Sequence, residues 1–375
     1  VDQYGQTELA SVYGGVKLDE HAGTVDVLLT ELSPVYQAPL ERIAGQLNVL
    51  RFIQGKYTLT YLLQLQRRID ADWSELASNG IHVSSTGQGF GVVVVTVSEG
   101  APSIPALLQQ RYGDAVQVSL GQTIRTTATQ TRGGPPPYMG GMEVDNVGNT
   151  SLYSNDFYYH VCTAGFIGQQ FIDGLPYYYI ITAGHCFGGN DLVYHVYSAA
   201  GTWLPVGQVT QDWYETGSDA DTEAAVIRGG YKQATNEIIT AEPDVHTVDY
   251  LDAAQVDGLS ICHSGITTDQ SCNFSVNATH VTVVVGQTQP DGSTSYTQLY
   301  DQVTACCDSA QDGDSGGPVY HYYQPQAISA EGIMSAAFYS NGNYTGQISY
   351  SFIQDVRSDL DMNICTQTPQ ATTSC

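Results

Sequence analysis

Two short motifs in the second half of the 375-residue chain combine residue types that can cleave an acyl bond. Ser315 lies within Gly313-Asp-Ser-Gly-Gly-Pro318, and His185 lies within Ile181-Thr-Ala-Gly-His-Cys186. A serine becomes a nucleophile when a nearby histidine accepts its proton. The glycines favour a sharp turn in which the amides of Gly313 and Ser315 point to one spot and hold an oxyanion. The motifs therefore predict a serine nucleophile with His185 as its general base.

These motifs resemble those of the chymotrypsin-fold serine proteases, in which the order along the chain is histidine, acid, serine. Cys162-Thr-Ala-Gly-Phe166 and Ile261-Cys-His-Ser-Gly-Ile-Thr-Thr-Asp-Gln-Ser-Cys272 resemble the streptogrisin and alpha-lytic protease branch more narrowly. The resemblance covers roughly residues 136–360. It implies a serine endopeptidase with an all-β double six-stranded barrel, and it implies the disulfides Cys162–Cys186 and Cys262–Cys272.

The acid that orients the histidine has two main candidates. In the proteases of this resemblance, an Asp lies two residues before a small residue and a short apolar run. That register places Glu223 at the position, with Ala225 as the small residue. Asp221 has the usual side chain but fits only if two extra residues bulge from the loop, and Asp219 is the third acid of the segment. Glu223 and Asp221 both remain open as the partner of His185.

The resemblance also indicates a strand that binds substrate. Gly332-Ile-Met-Ser-Ala-Ala-Phe338 matches the strand that lines the primary pocket, so Ser335, Ala336 and Ala337 are expected to contact substrate. Relatives often have glycines after the serine, and alanines there narrow the pocket slightly. We expect the pocket to take a medium or large apolar side chain. The same resemblance pairs Asp314 with the residue at His263, so the pairing would depend on pH.

The charge of the chain changes abruptly near residue 135. Residues 1–135 carry 9 basic and 12 acidic side chains, whereas residues 136–375 carry 3 basic and 26 acidic ones. This step predicts a domain boundary. The negative excess argues against nucleic acid or an anionic membrane as partner, because phosphate binding needs clustered Lys and Arg. Such a field favours solubility and is typical of a protein that works outside the cell.

Residues 1–135 are predicted to form a small α+β domain followed by a linker. Tyr61–Leu76 has the apolar spacing of a helix, and Gly89–Val97 is rich in β-branched residues. This region resembles the pro-region of the same protease branch, which implies that it assists folding and inhibits the attached protease. Residues 126–141 are polar and then rich in Gly and Pro, which predicts the linker.

Residues 136–375 are predicted to form an all-β domain with a C-terminal extension, because short alternating segments are separated by turn residues. All eight cysteines lie there, which indicates disulfides in an oxidising compartment. Four of them are left after the two implied pairs, and three pairings would join them. The sequence does not choose among them, and those that join the first two of these cysteines to the last two would attach the C-terminal tail to the nucleophile loop. The four are Cys306, Cys307, Cys365 and Cys375.

Other sequence features bear on secretion and cofactors. No cysteine pair has the spacing of a zinc site, so no metal or other cofactor is expected. The longest apolar run, Val92–Val97, is too short to span a membrane. No apolar leader begins the chain, which predicts that any secretion signal has been removed. Asn-X-Ser/Thr sequons are candidate glycosylation sites in a secreted protein, at Asn149, Asn273, Asn277 and Asn343.

Two functions remain open. The leading hypothesis is a secreted serine endopeptidase precursor that acts on proteins or peptides and carries its own N-terminal inhibitor. The alternative is a protease-like fold retained as a non-catalytic binding or structural subunit whose N-terminal domain is never removed. The unusual acid, the unusual cysteines and the Gly/Pro-rich segment favour the alternative. A fluorophosphonate distinguishes the two, because only an activated serine reacts with it.

Overall fold

A computed structural model describes most of the chain. The described residues are 1–19, 22–45, 49–97, 102–120, 123–125, 132–133, 136–146, 161–196, 203–241, 243–288, 294–307, 309–311, 313–324, 327–340 and 343–367. No helix within these ranges combines the length and the apolar character that crossing a membrane requires.

The N-terminal region contains both helices and strands, as the sequence predicts. Its helices begin at recognisable signals: the Ser33 hydroxyl caps α2, and the Thr58 hydroxyl caps α3. Strands β1, β2 and β3 form a separate three-stranded sheet. The elements are α1 (Asp2–Glu8), β1 (Tyr13–Asp19), β2 (Thr24–Leu29), α2 (Pro34–Ala44), β3 (Leu50–Gln54), α3 (Leu59–Ala71), α4 (Trp73–Ser78), β4 (Val83–Gly89), β5 (Val92–Val97), α5 (Ile104–Tyr112) and β6 (Val116–Leu120).

Helix α3 packs on the strands of this region through one apolar face. Leu62, Leu65 and Ile69 are buried, and their spacing of three and four residues places them on the same side of a helix. They share a core with Val93 and Val95, which alternate on β5. The predicted helix at residues 61–76 therefore exists, although it is divided into α3 and α4.

The rest of the chain is almost entirely β-structure, which confirms the predicted all-β domain. The elements are β7 (Thr123–Arg125), β8 (Tyr138–Gly140), β9 (Glu143–Asp145), β10 (Val161–Thr163), β11 (Phe166–Ile172), β12 (Leu175–Thr182), β13 (Leu192–Val196), β14 (Trp203–Asp212), β15 (Glu223–Ile227), a 3-10 turn (Gly230–Gln233), β16 (Ala234–Ala241), β17 (Asp244–Leu251), β18 (Ser260–Gly265), β19 (Asp269–Thr288), β20 (Thr294–Cys306), β21 (Pro318–Gln324), β22 (Ala327–Ser340), β23 (Asn343–Phe352), α6 (Ile353–Leu360) and β24 (Asn363–Ile364).

Two sheets divide these strands. In the described part of the chain the first sheet has the order β10-β9-β13-β14-β15-β12-β11-β24. The second contains β18, β21, β22, β17, β16 and β8, with β19 and β20 adding a long hairpin and β23 joining β20 to β22. One apolar core connects the sheets, since it includes Ile181 and Val209 from the first and Ile261 and Val319 from the second. A site placed between the sheets is therefore held on both sides.

The N-terminal region extends the second sheet. Strand β4 pairs antiparallel with β19, and β7 pairs antiparallel with the end of β22. Side chains add to this contact, because Gln66 Nε2 donates to the carbonyl of His280 at 2.6 Å and Thr282 Oγ1 donates to Asp70 Oδ2 at 2.9 Å. The predicted boundary at residue 135 stays a prediction.

The predicted linker is wrong in its second part. Arg132 is only 4% exposed, and its guanidinium donates to Ser264 Oγ at 2.6 Å and forms an ion pair with Asp269. Strand β8 runs parallel to β16 in the second sheet. Composition rich in Gly and Pro suggested an exposed connection, but hydrogen bonds to neighbouring strands hold Arg132 and residues 138–140. Residues 126–131, the first part of the predicted linker, and residues 134–135 lie outside the described residues.

The structure agrees with some of the disulfide predictions and contradicts one of them. The disulfides Cys162–Cys186 and Cys262–Cys272 are present, as the resemblance implied. The expected link from the nucleophile loop to the tail is wrong, because Cys306 and Cys307 are free while Cys365 is disulfide-bonded. The reason is the path of the tail: β24 pairs with β11 in the first sheet, whereas Cys306 pairs with β23 in the second. Cys375 lies outside the described residues.

Candidate active site

His185 follows the end of β12, where the strand leaves the core of the first sheet. The turn between them is tightly enclosed, because a Cβ atom at Gly184 would lie 2.8 Å from Tyr214 Cβ and 3.0 Å from the carbonyl oxygen of Thr222. The next residue, Cys186, is tied to β10 by its disulfide. The backbone that carries the imidazole is therefore fixed on both sides, and His185 itself is 6% exposed.

Asp221 contacts His185, and Glu223 does not. The Asp221 Oδ2 atom lies 2.7 Å from His185 Nδ1, and its Oδ1 atom accepts a hydrogen bond of 3.0 Å from the backbone N–H of His185. Glu223 is the first residue of β15 and is fully buried, and its carboxylate makes no hydrogen bond with the His185 side chain, whose Nδ1 contacts Asp221. Burial, reinforced by the carboxylates of Asp212 and Asp221, raises the pKa of Glu223 well above its ordinary value.

The second sheet supports Asp221 from behind. Its backbone N–H donates to Ser351 Oγ at 2.8 Å, across the junction of the two sheets. Ser351 Oγ also lies 3.1 Å from Ser335 Oγ, and both hydroxyls donate to Gln302 Oε1. Sequence reasoning missed Ser351 and Gln302, and no local motif marks them, since they contact Asp221 and its neighbours from strands more than 80 residues away.

Ser315 lies in a tight turn just before β21. Gly313 and Gly316 have φ angles of 99° and 83°, values that glycine adopts without a steric penalty. The Gly316 N–H donates to the carbonyl of Met334 at 2.8 Å, which ties the turn to β22. A Cβ atom at Gly316 would overlap Thr182 Oγ1 and approach the backbone nitrogen of Ala183. This close approach places the Ser315 turn directly against the strand end that leads to His185.

The groups needed for proton transfer and oxyanion binding make no hydrogen bond among the residues that the structure describes. His185 Nε2 is buried and makes no hydrogen bond within the described residues, including none with Ser315 Oγ. Such contacts are often long before substrate binds. Within the same residues, the amides of Gly313 and Ser315 donate no hydrogen bond to another backbone group. These two amides and Nε2 are therefore available to a substrate.

Asp314 anchors the nucleophile turn beneath Ser315. Its fully buried carboxylate accepts hydrogen bonds from the amides of Thr267, Thr268 and Gln311 at 3.0, 3.1 and 2.8 Å. His263 Nε2 lies 3.6 Å from Asp314 Oδ2, so the structure brings together the pair that the resemblance indicated. Burial raises the pKa of Asp314, but the contact with His263 and the hydrogen bonds outweigh burial and hold this pKa below its ordinary value.

The predicted substrate strand is β22. Ser335, Ala336 and Ala337 are all buried, and the Ser335 hydroxyl is engaged by Gln302 and Ser351 rather than facing an open pocket. Beyond them, the backbone of β22 pairs with β7 in antiparallel register: Ala337 with Arg125, Phe338 with Ile124 and Tyr339 with Thr123. A strand from the N-terminal region thus occupies the edge of β22 next to the predicted pocket residues.

Three of the four candidate glycosylation sites lie within the described residues. Asn273 and Asn277 are exposed on β19, and Asn277 Oδ1 accepts a hydrogen bond of 2.7 Å from Thr304 Oγ1. Asn343 begins β23. Asn149 lies outside the described residues. Glycosylation at any of the four stays a prediction.

The fold and the His185–Asp221 contact beside the Ser315 turn define a chymotrypsin-like protein. The family model described as Trypsin matches residues 125–357. This match covers more than half of the chain, which therefore belongs to the trypsin family, and that family fold supports a protease function.

Solved structures that match part of the chain include three proteases. Thermobifida fusca Protease A is 22% identical, with a TM-score of 0.43, and the match covers 61% of this chain and 98% of that one. Cellulomonas bogoriensis chymotrypsin is 19% identical, with 61% and 98% covered and a TM-score of 0.41. Nocardiopsis Protease is 21% identical, with 60% and 97% covered and a TM-score of 0.41. No curated protein matches the chain.

Proposed function

We propose that the chain is the precursor of a secreted serine endopeptidase in which Ser315 is the nucleophile. His185 is the general base, and Asp221 orients it. The observation that carries this proposal is the double contact between Asp221 and His185, beside a glycine-rich turn that presents Ser315. The same geometry favours Asp221 over Glu223 as the third member of the site.

The proposed reaction begins when Ser315 Oγ attacks the carbonyl carbon of the scissile peptide bond. The serine proton passes to His185 Nε2, and the negative Asp221 stabilises the imidazolium that forms. The imidazolium then gives its proton to the leaving amine, which departs and leaves an acyl-enzyme. Water enters, loses a proton to His185 and releases the acid product by the reverse sequence.

The carbonyl oxygen of the substrate becomes an oxyanion during each attack. The amides of Gly313 and Ser315 are placed to stabilise it, because the positive φ of Gly313 turns the backbone sharply at this point. Asp314 holds these amides in position through its hydrogen bonds to residues 267, 268 and 311. A fixed donor pair needs no reorganisation during the reaction, so it favours the transition state over the substrate.

The proposed substrates are proteins or peptides bound in an extended form along β22. An extended peptide would pair with the backbone at Ala337–Tyr339, the edge that β7 now occupies. The small side chains of Ala336 and Ala337 favour a medium or large apolar side chain in the primary pocket. Secretion is supported by the two disulfides and by the strongly negative charge of the chain.

The N-terminal region is proposed to be an intramolecular inhibitor. Strand β7 lies on β22 in the antiparallel orientation that a substrate strand would adopt, so it competes for the same backbone groups. Strand β7 ends at Arg125, and Arg132, seven residues later, is buried, so we place the activating cut within residues 126–131. After the cut, β7 would remain part of the N-terminal fragment. The whole fragment could then dissociate from β22.

A fluorophosphonate tests the proposed nucleophile. The cleaved protein should bind one label at Ser315, and Ser315→Ala should abolish labelling and peptide hydrolysis while leaving the folded state intact. Ser295→Ala is the matched control, because Ser295 is an exposed serine of β20 and its variant should label normally. Labelling of Ser315→Ala at the wild-type rate would overturn the assignment.

The alternative is a binding or structural subunit that retains its N-terminal region. The observation that favours it is the number of strands shared with that region, since both β4 and β7 extend the second sheet. A non-catalytic subunit would remain unlabelled even after a cut between residues 126 and 131. Labelling after the cut would exclude this alternative.

A further inference from the structure

Strand β20 ends in two adjacent cysteines whose sulfur atoms almost touch. Cys306 Sγ and Cys307 Sγ lie 2.7 Å apart, within about 0.7 Å of a covalent S–S bond of about 2.05 Å. Neither cysteine belongs to a disulfide in the structure. The separation is far too short for two sulfur atoms that merely pack against each other.

The backbone explains how two neighbouring side chains come together. Successive residues of a strand normally point to opposite faces of the sheet, which would separate the two sulfur atoms. Cys306 still pairs with Gln347 as the last residue of β20. Cys307, however, has a φ of 82°, and its N–H donates to the carbonyl of Gly346 at 2.6 Å. This left-handed residue turns the chain, so that its side chain returns to the side of Cys306.

No other described thiol competes for this pair. Cys162–Cys186 and Cys262–Cys272 are complete, and Cys365 is disulfide-bonded. Cys307 is exposed, so a small oxidant can reach it, whereas Cys306 is partly covered.

We propose that Cys306 and Cys307 form a reversible vicinal disulfide, a redox site separate from the structural disulfides. The oxidant is a low-molecular-weight disulfide such as oxidised glutathione. The Cys307 thiolate attacks one sulfur of the oxidant and releases one thiol, which leaves a mixed disulfide on Cys307. The Cys306 thiolate then attacks the Cys307 sulfur and releases the second thiol. Two protein thiols thereby lose two electrons and two protons, and one oxidant disulfide becomes two thiols.

The order of attack follows from the environments of the two thiols. Burial, together with the hydrogen bond to Cys307, raises the pKa of Cys306 to about 11. Cys306 is therefore the poorer first nucleophile, because only a thiolate attacks a disulfide. Once Cys307 carries the mixed disulfide, its sulfur atom lies next to Cys306, so the second attack is intramolecular.

The proposed bond differs in kind from the other disulfides. Cys162–Cys186 closes a loop with a sequence separation of 24, which restricts the unfolded chain substantially. A bond between adjacent residues closes no chain segment and removes little conformational entropy from the unfolded state. It therefore acts on local backbone geometry, at the start of the segment that leads to Ser315, and contributes little to global stability.

Peptide mapping of the full chain tests the bond. The protein is incubated with oxidised glutathione, unfolded in N-ethylmaleimide without reductant, digested and analysed by mass spectrometry. We expect the peptide that contains Cys306 and Cys307 to carry no label, to be two hydrogen masses lighter than its thiol form and to be linked to no other peptide. The control Cys307→Ser should leave Cys306 with one label or one glutathione. Two labels on the wild-type pair, or a link from this pair to another peptide, would overturn the proposal.

Graded reduction tests the reversibility. We expect the exposed pair to open at a lower dithiothreitol concentration than Cys162–Cys186, whose two residues are 4% and 1% exposed. The melting temperature should be unchanged in Cys306→Ser/Cys307→Ser and should fall in Cys162→Ser/Cys186→Ser. A pair that opens only together with Cys162–Cys186 would contradict a separate redox site. Neither readout requires peptidase activity, so the result is independent of the proposed function.

Discussion

Asp221 holds His185 at two points, the imidazole Nδ1 atom at 2.7 Å and the backbone N–H at 3.0 Å. The first contact places a hydrogen on Nδ1 and leaves Nε2 as the acceptor that faces the Ser315 turn. The second contact joins the Asp221 carboxylate to the backbone of His185, which restricts the distance between the carboxylate and the imidazole. The ring of Tyr214 also packs against the His185 imidazole in an edge-to-face contact, with the two ring centroids 5.8 Å apart.

The double contact predicts unequal effects of removing the two candidate acids. Asp221→Asn should lower kcat by up to about 10⁴, because the amide no longer stabilises the imidazolium and favours the wrong tautomer. Glu223→Gln is the matched control and should leave kcat within about twofold of the wild type, because Glu223 does not contact the imidazole and its raised pKa favours the neutral form. Steady-state kinetics on a peptide substrate measures both, and a large loss only in Glu223→Gln would contradict the assignment to Asp221.

The sequence could place His185 and Ser315 because their signals are local. Each lies in a motif whose glycines are required by the turn itself, and the structure puts both turns against each other. The acid was left open because a strand register alone favours Glu223, which does begin β15. Asp221 lies in the loop before that strand, where its position depends on Ser351, 130 residues further along the chain.

The cysteines and the linker show a second limit of sequence patterns. Residue types indicated that Cys306 and Cys307 are available for disulfides, but the tail with Cys365 joins the first sheet through β24. Likewise, the composition of residues 132–141 indicated a linker, whereas Arg132 and β8 are held by partners more than 90 residues away. Both errors concern pairings between distant segments, which composition does not encode.

Cleavage between residues 126 and 131 should activate the protein. Strand β7 contributes three paired residues on β22, and if their net contribution to binding is about 2 kcal/mol, release corresponds to roughly a 30-fold gain. A recognition sequence for an added protease within residues 126–131 allows a controlled cut, and the fluorophosphonate labelling rate is the measurement. The uncut insertion variant is the control. An equal rate before and after a complete cut would show that β7 does not inhibit.

The buried pair of His263 and Asp314 should be important for stability. His263→Gln should lower the free energy of unfolding by about 3–5 kcal/mol, since it removes one partner of a fully buried histidine–carboxylate pair. Urea unfolding at pH 7 measures this loss. His246→Gln is the control, because His246 is a half-buried residue on β17, and its loss should be within about 1 kcal/mol. Equal losses in the two variants would contradict the special role of His263.

The same pair gives a pH dependence with a definite sign. The folded-state pKa of Asp314 lies below its ordinary value of 3.8, so its carboxylate contributes stability above that value. This contribution is lost as the pH falls through the lowered pKa. Asp314→Asn should therefore reduce the acid-induced loss of stability below about pH 4, as measured by urea unfolding at pH 3 and pH 6. An unchanged pH profile would mean that other carboxylates dominate acid unfolding.

Ionisable groups also lie at the contact between the N-terminal region and the second sheet. Asp70 of α3 accepts hydrogen bonds from Thr86 and Thr282, and burial raises its pKa to about 6. Asp257 lies 3.9 Å from Lys17 across the same contact, and burial raises its pKa to about 6 as well. Burial lowers the pKa of His280, but the hydrogen bond to Asp301 outweighs it, and the net pKa is raised.

These shifts predict that the N-terminal region is held more tightly in mild acid than at neutral pH. A carboxyl group with a raised pKa opposes the contact when it ionises, so the cost appears as the pH rises from about 4 to above 6. The raised pKa of His280 acts in the same direction, because the Asp2 carboxylate of α1 contributes to this shift and its attraction for the imidazolium is lost as the pH rises. After the cut within residues 126–131, size-exclusion chromatography should show the two fragments together at pH 5 and more dissociated at pH 8. Asp70→Asn should weaken this dependence, whereas Asp173→Asn, an exposed control on the turn after β11, should not. Tighter association at pH 8 than at pH 5 would mean that groups other than these three control the contact.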